Sequence, residues 1–122
     1  MEISNRIYHL STCSTCARIL SQIGDLDRFE LIDIKKENIS PEVLDYVKDQ
    51  MGDYLSFFSK RAMKYRSMGL NERTLTEEEY RSYILEEYTF LKRPVIIFNG
   101  KAFVGNSPKN IQNALNLINE SN

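Results

Sequence analysis

The chain is 122 residues long, with 42% hydrophobic and 27% charged residues and a net charge of −1. That length suits one domain with a single ordinary core, and the composition excludes a disordered or collagen-like chain. The near-neutral balance offers no long-range pull toward nucleic acid or anionic lipid, and apolar runs such as VIIF are far too short to span a bilayer.

The first residues, MEISNRIYHLSTC, carry an early acid and no apolar core, so no secretory signal is expected and the default compartment is the cytoplasm. Thiols are kept reduced there, so two cysteines are not expected to be a structural staple. In chain order, RIYHL (Arg6 to Leu10) reads as a short strand. The cysteines follow at once, and CARILSQI then places Ala17, Leu20 and Ile23 at helical spacing with Ile19 beside them and Gly24 as a stop. FELIDI (Phe29 to Ile34) reads as a second strand, which makes a βαβ unit with a parallel pair.

The middle third reads as helical. Ser40-Pro41 is an N-cap with proline at the first helical position, and Val43, Leu44, Val47 and Met51 supply an apolar stripe. A further helix is predicted from about Tyr54 to Gly69, with Phe58, Ala62 and Tyr65 on one face. Thr76 and Glu79 form a capping box at the head of TEEEYRSYILEEY. PVIIF and KAFV flank Asn99-Gly100, a strong hairpin signal, and SPKNIQNALNLI closes the chain as a helix capped by Ser107. The order is therefore βαβ, a helical insertion over about residues 40–90, and ββα. It is the thioredoxin/glutaredoxin-like arrangement, an α/β fold with a mixed sheet flanked by helices, expected as one domain over residues 1–122.

The stretch HLSTCSTC holds the only histidine and both cysteines, His9, Cys13 and Cys16. Helical residues three apart lie about 5 Å apart, inside the roughly 4.4–6.8 Å range a disulfide needs between Cα atoms. Cys13 should sit at a helix N-terminus, where orphan N–H groups and the macrodipole favour a thiolate. Cysteines so placed titrate well below the free value of about 8.5. Cys16, one turn further in, suits a buried resolving thiol. A zinc site would normally take four ligands, and only three are at hand; two buried cysteines packing as small hydrophobes is the third reading. The context, a CxxC between a strand and a helix, favours redox or nucleophilic chemistry. His9 would assist a thiolate or simply bond to backbone.

LKRPVII is the other informative stretch. In thioredoxin-like folds a proline, here Pro94, opens the strand after the helical layer, with a cis peptide bond facing the CxxC. Arg93 before it is either an oxyanion-binding fork or a solvated charge. Lys60, Arg61, Lys64 and Arg66 form a basic run that is the wet face of a helix, an addition to the anion site, or a partner surface.

Over IYHLSTCSTC, RAMKYRSMGLNERTLTEEE, LKRPVII and FVGNSPKNI the chain resembles the arsenate reductase (ArsC) family of glutaredoxin-like proteins, including its Spx regulator branch. The resemblance implies Cys13 as nucleophile, Cys16 as resolving thiol, Arg93 as anion stabiliser, and His9 and Pro94 in support. Ser14, Thr15, Lys60 and Arg61 are candidate anion-binding residues, and no metal is expected. It implies a small oxyanion such as arsenate, or a disulfide, as substrate, no bound cofactor, and glutathione or a thioredoxin/glutaredoxin-type protein as reductant. Arsenate reductases of this kind place two further arginines around the anion, at positions that fall near Ser59 and Gly105 here. Spx-like proteins use the cysteine pair as a switch and bind the RNA polymerase α subunit, with a contact glycine near Gly52 and a longer basic C-terminal extension. That is the alternative function. Neither reading calls for nucleic-acid or membrane binding by the chain itself.

Overall fold

The computed structural model describes residues 3–121. Its elements are β1 (Arg6–His9), α1 (Ser14–Ile23), β2 (Glu30–Asp33), α2 (Pro41–Met51), α3 (Met63–Ser67), α4 (Glu77–Glu86), β3 (Val95–Phe98), β4 (Lys101–Val104) and α5 (Pro108–Glu120). Short 3-10 turns punctuate them. The chain forms two compact units, one made of the residues up to Glu37 with those from Arg93 onward, the other of Asn38–Lys92.

The first unit holds a mixed four-stranded sheet in the order β2-β1-β3-β4. β1 and β2 run parallel, with Arg6 opposite Glu30 and His9 opposite Asp33. β3 lies antiparallel to β1, Tyr8 opposite Val95, and β4 antiparallel to β3. Parallel neighbours need a crossover, which α1 supplies; antiparallel ones need only a hairpin. Asn99 and Gly100 make that hairpin, both at positive φ (49° and 81°), the pairing whose twist suits the flanking strands.

One core binds α1 and α5 to the same face of this sheet. Ile19 and Ile23 of α1, Ile111, Ala114 and Ile118 of α5, and Ile7, Ile96 and Phe98 of the strands belong to a single buried cluster with Phe29. On α1 the buried stripe is Cys16, Ile19 and Ile23, with Ala17 exposed, so the helix is rolled from the stripe expected through Ala17, Leu20 and Ile23. Both alternatives keep helical spacing; packing against α5 selects between them. β1 starts at Arg6 as expected and ends one residue sooner, at His9, and β2 is one residue shorter at each end.

In the second unit Ser40 caps α2, its hydroxyl accepting the Val43 N–H at 3.3 Å. Val43, Leu44 and Val47 are buried, whereas Met51, expected on that stripe, is 36% exposed. Thr76 and Glu79 close the capping box of α4. Arg81 grips Asp45 with two bonds of 2.8 and 3.1 Å, and the Tyr54 hydroxyl donates to the same carboxylate at 2.7 Å.

The helix expected from Tyr54 to Gly69 is not continuous. A 3-10 turn covers Leu55–Phe57, Phe58 is extended and bridges Leu91, and α3 spans only Met63–Ser67. Adjacent Phe57 and Phe58 are both buried, which a helix face turning by about 100° per residue does not favour. Their backbone bonds go elsewhere: Ser59 N–H to Phe90 O at 2.7 Å and Lys92 N–H to Phe57 O at 2.9 Å. Phe58 and Tyr65 still meet, 5.9 Å between ring centroids, across a turn rather than along a helix. Among the described residues no helix is long and apolar enough to cross a membrane.

Candidate active site

The candidate site grows from the end of β1. After His9 the chain leaves the sheet through Leu10, Ser11 and Thr12 and enters α1 with Cys13 as its N-cap, φ −94° and ψ 114°. The turn is closed by Cys13 N–H to Leu10 O at 3.0 Å, and the helix starts with Ala17 N–H to Cys13 O at 3.1 Å. Because β3 runs antiparallel beside β1, its first residues lie next to the last residues of β1. This topology brings Arg93 and Pro94 to the cysteines. The Arg93–Pro94 peptide bond is cis, Pro94 is buried, and its carbonyl accepts the Gly105 N–H at 2.9 Å.

Cys13 and Cys16 are both free thiols, the first half-buried, the second buried at 1% exposure. Partial desolvation raises the Cys13 pKa, but the Cys16 amide and thiol and the Arg93 guanidinium together outweigh it, and the net shift is downward. The Cys16 amide acts on the sulfur without completing a regular cap hydrogen bond, as suits a large, weakly accepting atom at a helix N-terminus. Cys16 goes the other way. Burial chiefly, with the neighbouring Cys13, pushes it up to about 11, despite the Leu10 backbone contact and Arg93, which pull it down. Cys13 is made the more acidic thiol and Cys16 the less acidic, the division of labour a nucleophile and a resolving thiol need.

Arg93 is half-buried, and its Nε is buried with no hydrogen-bond partner among the described residues. A buried guanidinium donor left open beside Cys13 is suited to an oxyanion. Ser14 and Thr15 lie between the two cysteines in the first turn of α1, exposed and half-buried respectively.

The other expected residues are placed differently. His9 lies opposite Asp33 in the parallel register of β1 and β2. Lys60 and Arg61 are exposed in the turn before α3, in the Asn38–Lys92 unit. Gly105, where the resemblance would place an arginine, contributes only backbone: its N–H to Pro94 and its carbonyl to Asn110 Nδ2 at 2.8 Å. Among the described residues no three His, Cys, Asp or Glu side chains form a group able to hold a metal ion.

Ser11 and Asp33 were not anticipated. The Ser11 hydroxyl donates to Asp33 Oδ2 at 2.7 Å, two residues before Cys13 in the chain. An acid ending the strand parallel to β1 was the available signal, since parallel register places it beside the turn that β1 feeds.

Comparison with known proteins agrees with this geometry. The model of the ArsC family matches residues 8–114. Among solved structures, an arsenate reductase from Vibrio cholerae is 21% identical, with TM-score 0.76, covering 93% of this chain and 98% of its own. A possible arsenate reductase from Streptococcus mutans UA159 is 26% identical, with TM-score 0.68, covering 83% and 88%. An arsenate reductase related protein from Brucella melitensis is 23% identical, with TM-score 0.67, covering 93% and 95%. No curated protein matches the chain. With its cysteine turn, cis-proline and mixed sheet inside the matched span, this chain belongs to the ArsC family.

Proposed function

We propose that the protein is a thiol-dependent reductase that uses Cys13 as nucleophile and Cys16 as resolving thiol. The observation that carries this reading is the opposed tuning of the two thiols beside Arg93, whose Nε is left open. The family and its arsenate-reductase neighbours support it.

With arsenate, the Cys13 thiolate attacks arsenic(V) and an arsenate hydroxyl, taking a proton from solvent, leaves as water, giving a thiol-ester of arsenic. Arg93 neutralises the oxyanion in that adduct. Cys16 gives up its proton and attacks the Cys13 sulfur; the sulfur–arsenic bond breaks with its electron pair on arsenic, releasing arsenite and leaving a Cys13–Cys16 disulfide. Glutathione or a thioredoxin/glutaredoxin-type dithiol then returns two electrons. A small disulfide enters the same scheme with a thiolate as leaving group. The reading places this work in the cytoplasm, where that reductant is held.

The cationic side chains that arsenate reductases place around the anion are not at Ser59 and Gly105, and each missing guanidinium bond weakens anion binding by roughly 1.5–3 kcal/mol. Arsenate is therefore expected to bind weakly. Single turnover decides: reduced protein is mixed anaerobically with arsenate, and arsenite formed and thiols lost are counted. Stoichiometric arsenite that disappears in Cys13→Ser supports the reading. A Cys13–Cys16 disulfide that forms under mild oxidant without any arsenite moves the substrate to another oxidant. The cysteine pair also admits a second reading, an Spx-like redox switch, which requires binding to an RNA polymerase α fragment that changes with the oxidation of the pair.

A further inference from the structure

Neither Ser11 nor Asp33 has a role in the chemistry above, yet together they fasten the turn that delivers Cys13. Ser11 stands two residues before the nucleophile, and Asp33 ends β2 in register with His9 on the parallel neighbour. The hydroxyl–carboxylate bond is 2.7 Å, and the Ser11 N–H reaches Oδ1 of the same group at 3.5 Å. Asp33 in turn is fixed from its own side, Oδ1 accepting the Lys35 N–H at 3.2 Å. The backbone runs alongside, Ile34 N–H donating to His9 O at 2.8 Å. The Ser11 hydroxyl foremost, with the Lys35 and Ser11 amides, keeps this carboxyl below the usual range, so the clamp is ionised at neutral pH.

We propose that the Asp33–Ser11 pair is a positioning clamp for the nucleophile: it ties the β1–α1 turn to the end of β2 and so keeps the Cys13 sulfur against the α1 N-terminus and Arg93. The proposal rests on the reading of Cys13 as nucleophile. The sulfur makes no regular cap hydrogen bond, so its position rests in part on the turn before it. Small misplacements at a reacting atom carry large rate effects. Asp33 reaches the turn through Ser11, whose hydroxyl its carboxylate holds. Its negative charge by itself would oppose a thiolate nearby, so clamp and charge predict opposite signs.

The test is a double-mutant cycle read on Cys13 alkylation by iodoacetamide between about pH 5 and pH 9, with the modified residue located by mass spectrometry. Ser11→Ala and Asp33→Ala are each expected to slow alkylation about threefold near pH 6, the double variant no more than the slower single, and Ser11→Thr not at all. Faster alkylation in Asp33→Ala with Ser11→Ala unchanged would show a charge effect alone and overturn the clamp. Additive losses would overturn it too. If Asp33→Ala does not fold by circular dichroism, Ser11→Ala against Ser11→Thr still decides, since one hydroxyl separates them. A parent protein whose Cys13 titrates as an ordinary thiol would overturn nucleophile and clamp together; a low-titrating Cys13 indifferent to Ser11→Ala overturns the clamp only.

Discussion

Cys13 and Cys16 carry the same side chain three residues apart, and their surroundings drive them in opposite directions. Burial raises Cys13, but the Cys16 amide and thiol and Arg93 bring it below the ordinary value; burial foremost takes Cys16 up to about 11. Iodoacetamide near neutral pH is therefore expected to modify Cys13 and spare Cys16, and Arg93→Ala to slow that modification by removing a cation that lowers the Cys13 pKa. Mass spectrometry of time points checks both; equal labelling of the two residues would contradict the contrast. The same shifts have consequences for stability. Cys13, lowered in the folded state, adds stability that is complete above the unfolded thiol pKa and is lost as pH falls through its folded value. Cys16, raised from 9.0 to about 11, adds stability below about pH 9 that is lost as pH rises toward 11. Two pH units correspond to about 2–3 kcal/mol for a buried group. Cys16→Ala should accordingly show a shallower alkaline loss of stability than the parent, measured by urea unfolding at about pH 8 and about pH 10.5.

At the scale of elements, the caps and turns carry local instructions that survive folding unchanged. Thr76→Ala, which opens the capping box of α4, is expected to cost about 1 kcal/mol in urea unfolding. Gly100→Ala should cost a similar amount, about 1 kcal/mol, because φ of 81° disfavours a Cβ, and the hairpin joining β3 to β4 depends on it. Helix starts at Ser40, Thr76 and Ser107 and the Asn99-Gly100 turn were legible because each is decided by its own hydrogen bonds or dihedrals within three residues. The segment after Tyr54 was not. Its helical periodicity is real, but the backbone of Phe57, Phe58 and Ser59 is paired to Phe90 and Lys92, more than thirty residues on, and no local pattern announces that pairing.

For the whole molecule, the sheet unit is held by one cluster in which Ile19, Ile96 and Ile118 are each about as buried as a side chain can be, at 1% exposure. Ile96→Ala, which opens a cavity between the sheet and its two helices, is expected to cost about 2–5 kcal/mol. Against a typical total of about 5–15 kcal/mol, that is a large fraction, and thermal melting followed by circular dichroism would register it. The element order, the α/β class and the cluster of His9, Cys13, Cys16, Arg93 and Pro94 as a place of interest could be read from the sequence, because alternation, spacing and capping residues are local and the family motifs are contiguous. That β3 lies beside β1, that Arg93 comes to the cysteines, and that Ser11 bonds Asp33 were decided only by the tertiary structure. Each depends on groups brought together from distant parts of the chain, Arg93 some eighty residues from Cys13 and Asp33 across a parallel ladder from the turn it fastens, and sequence spacing has no measure of such distances.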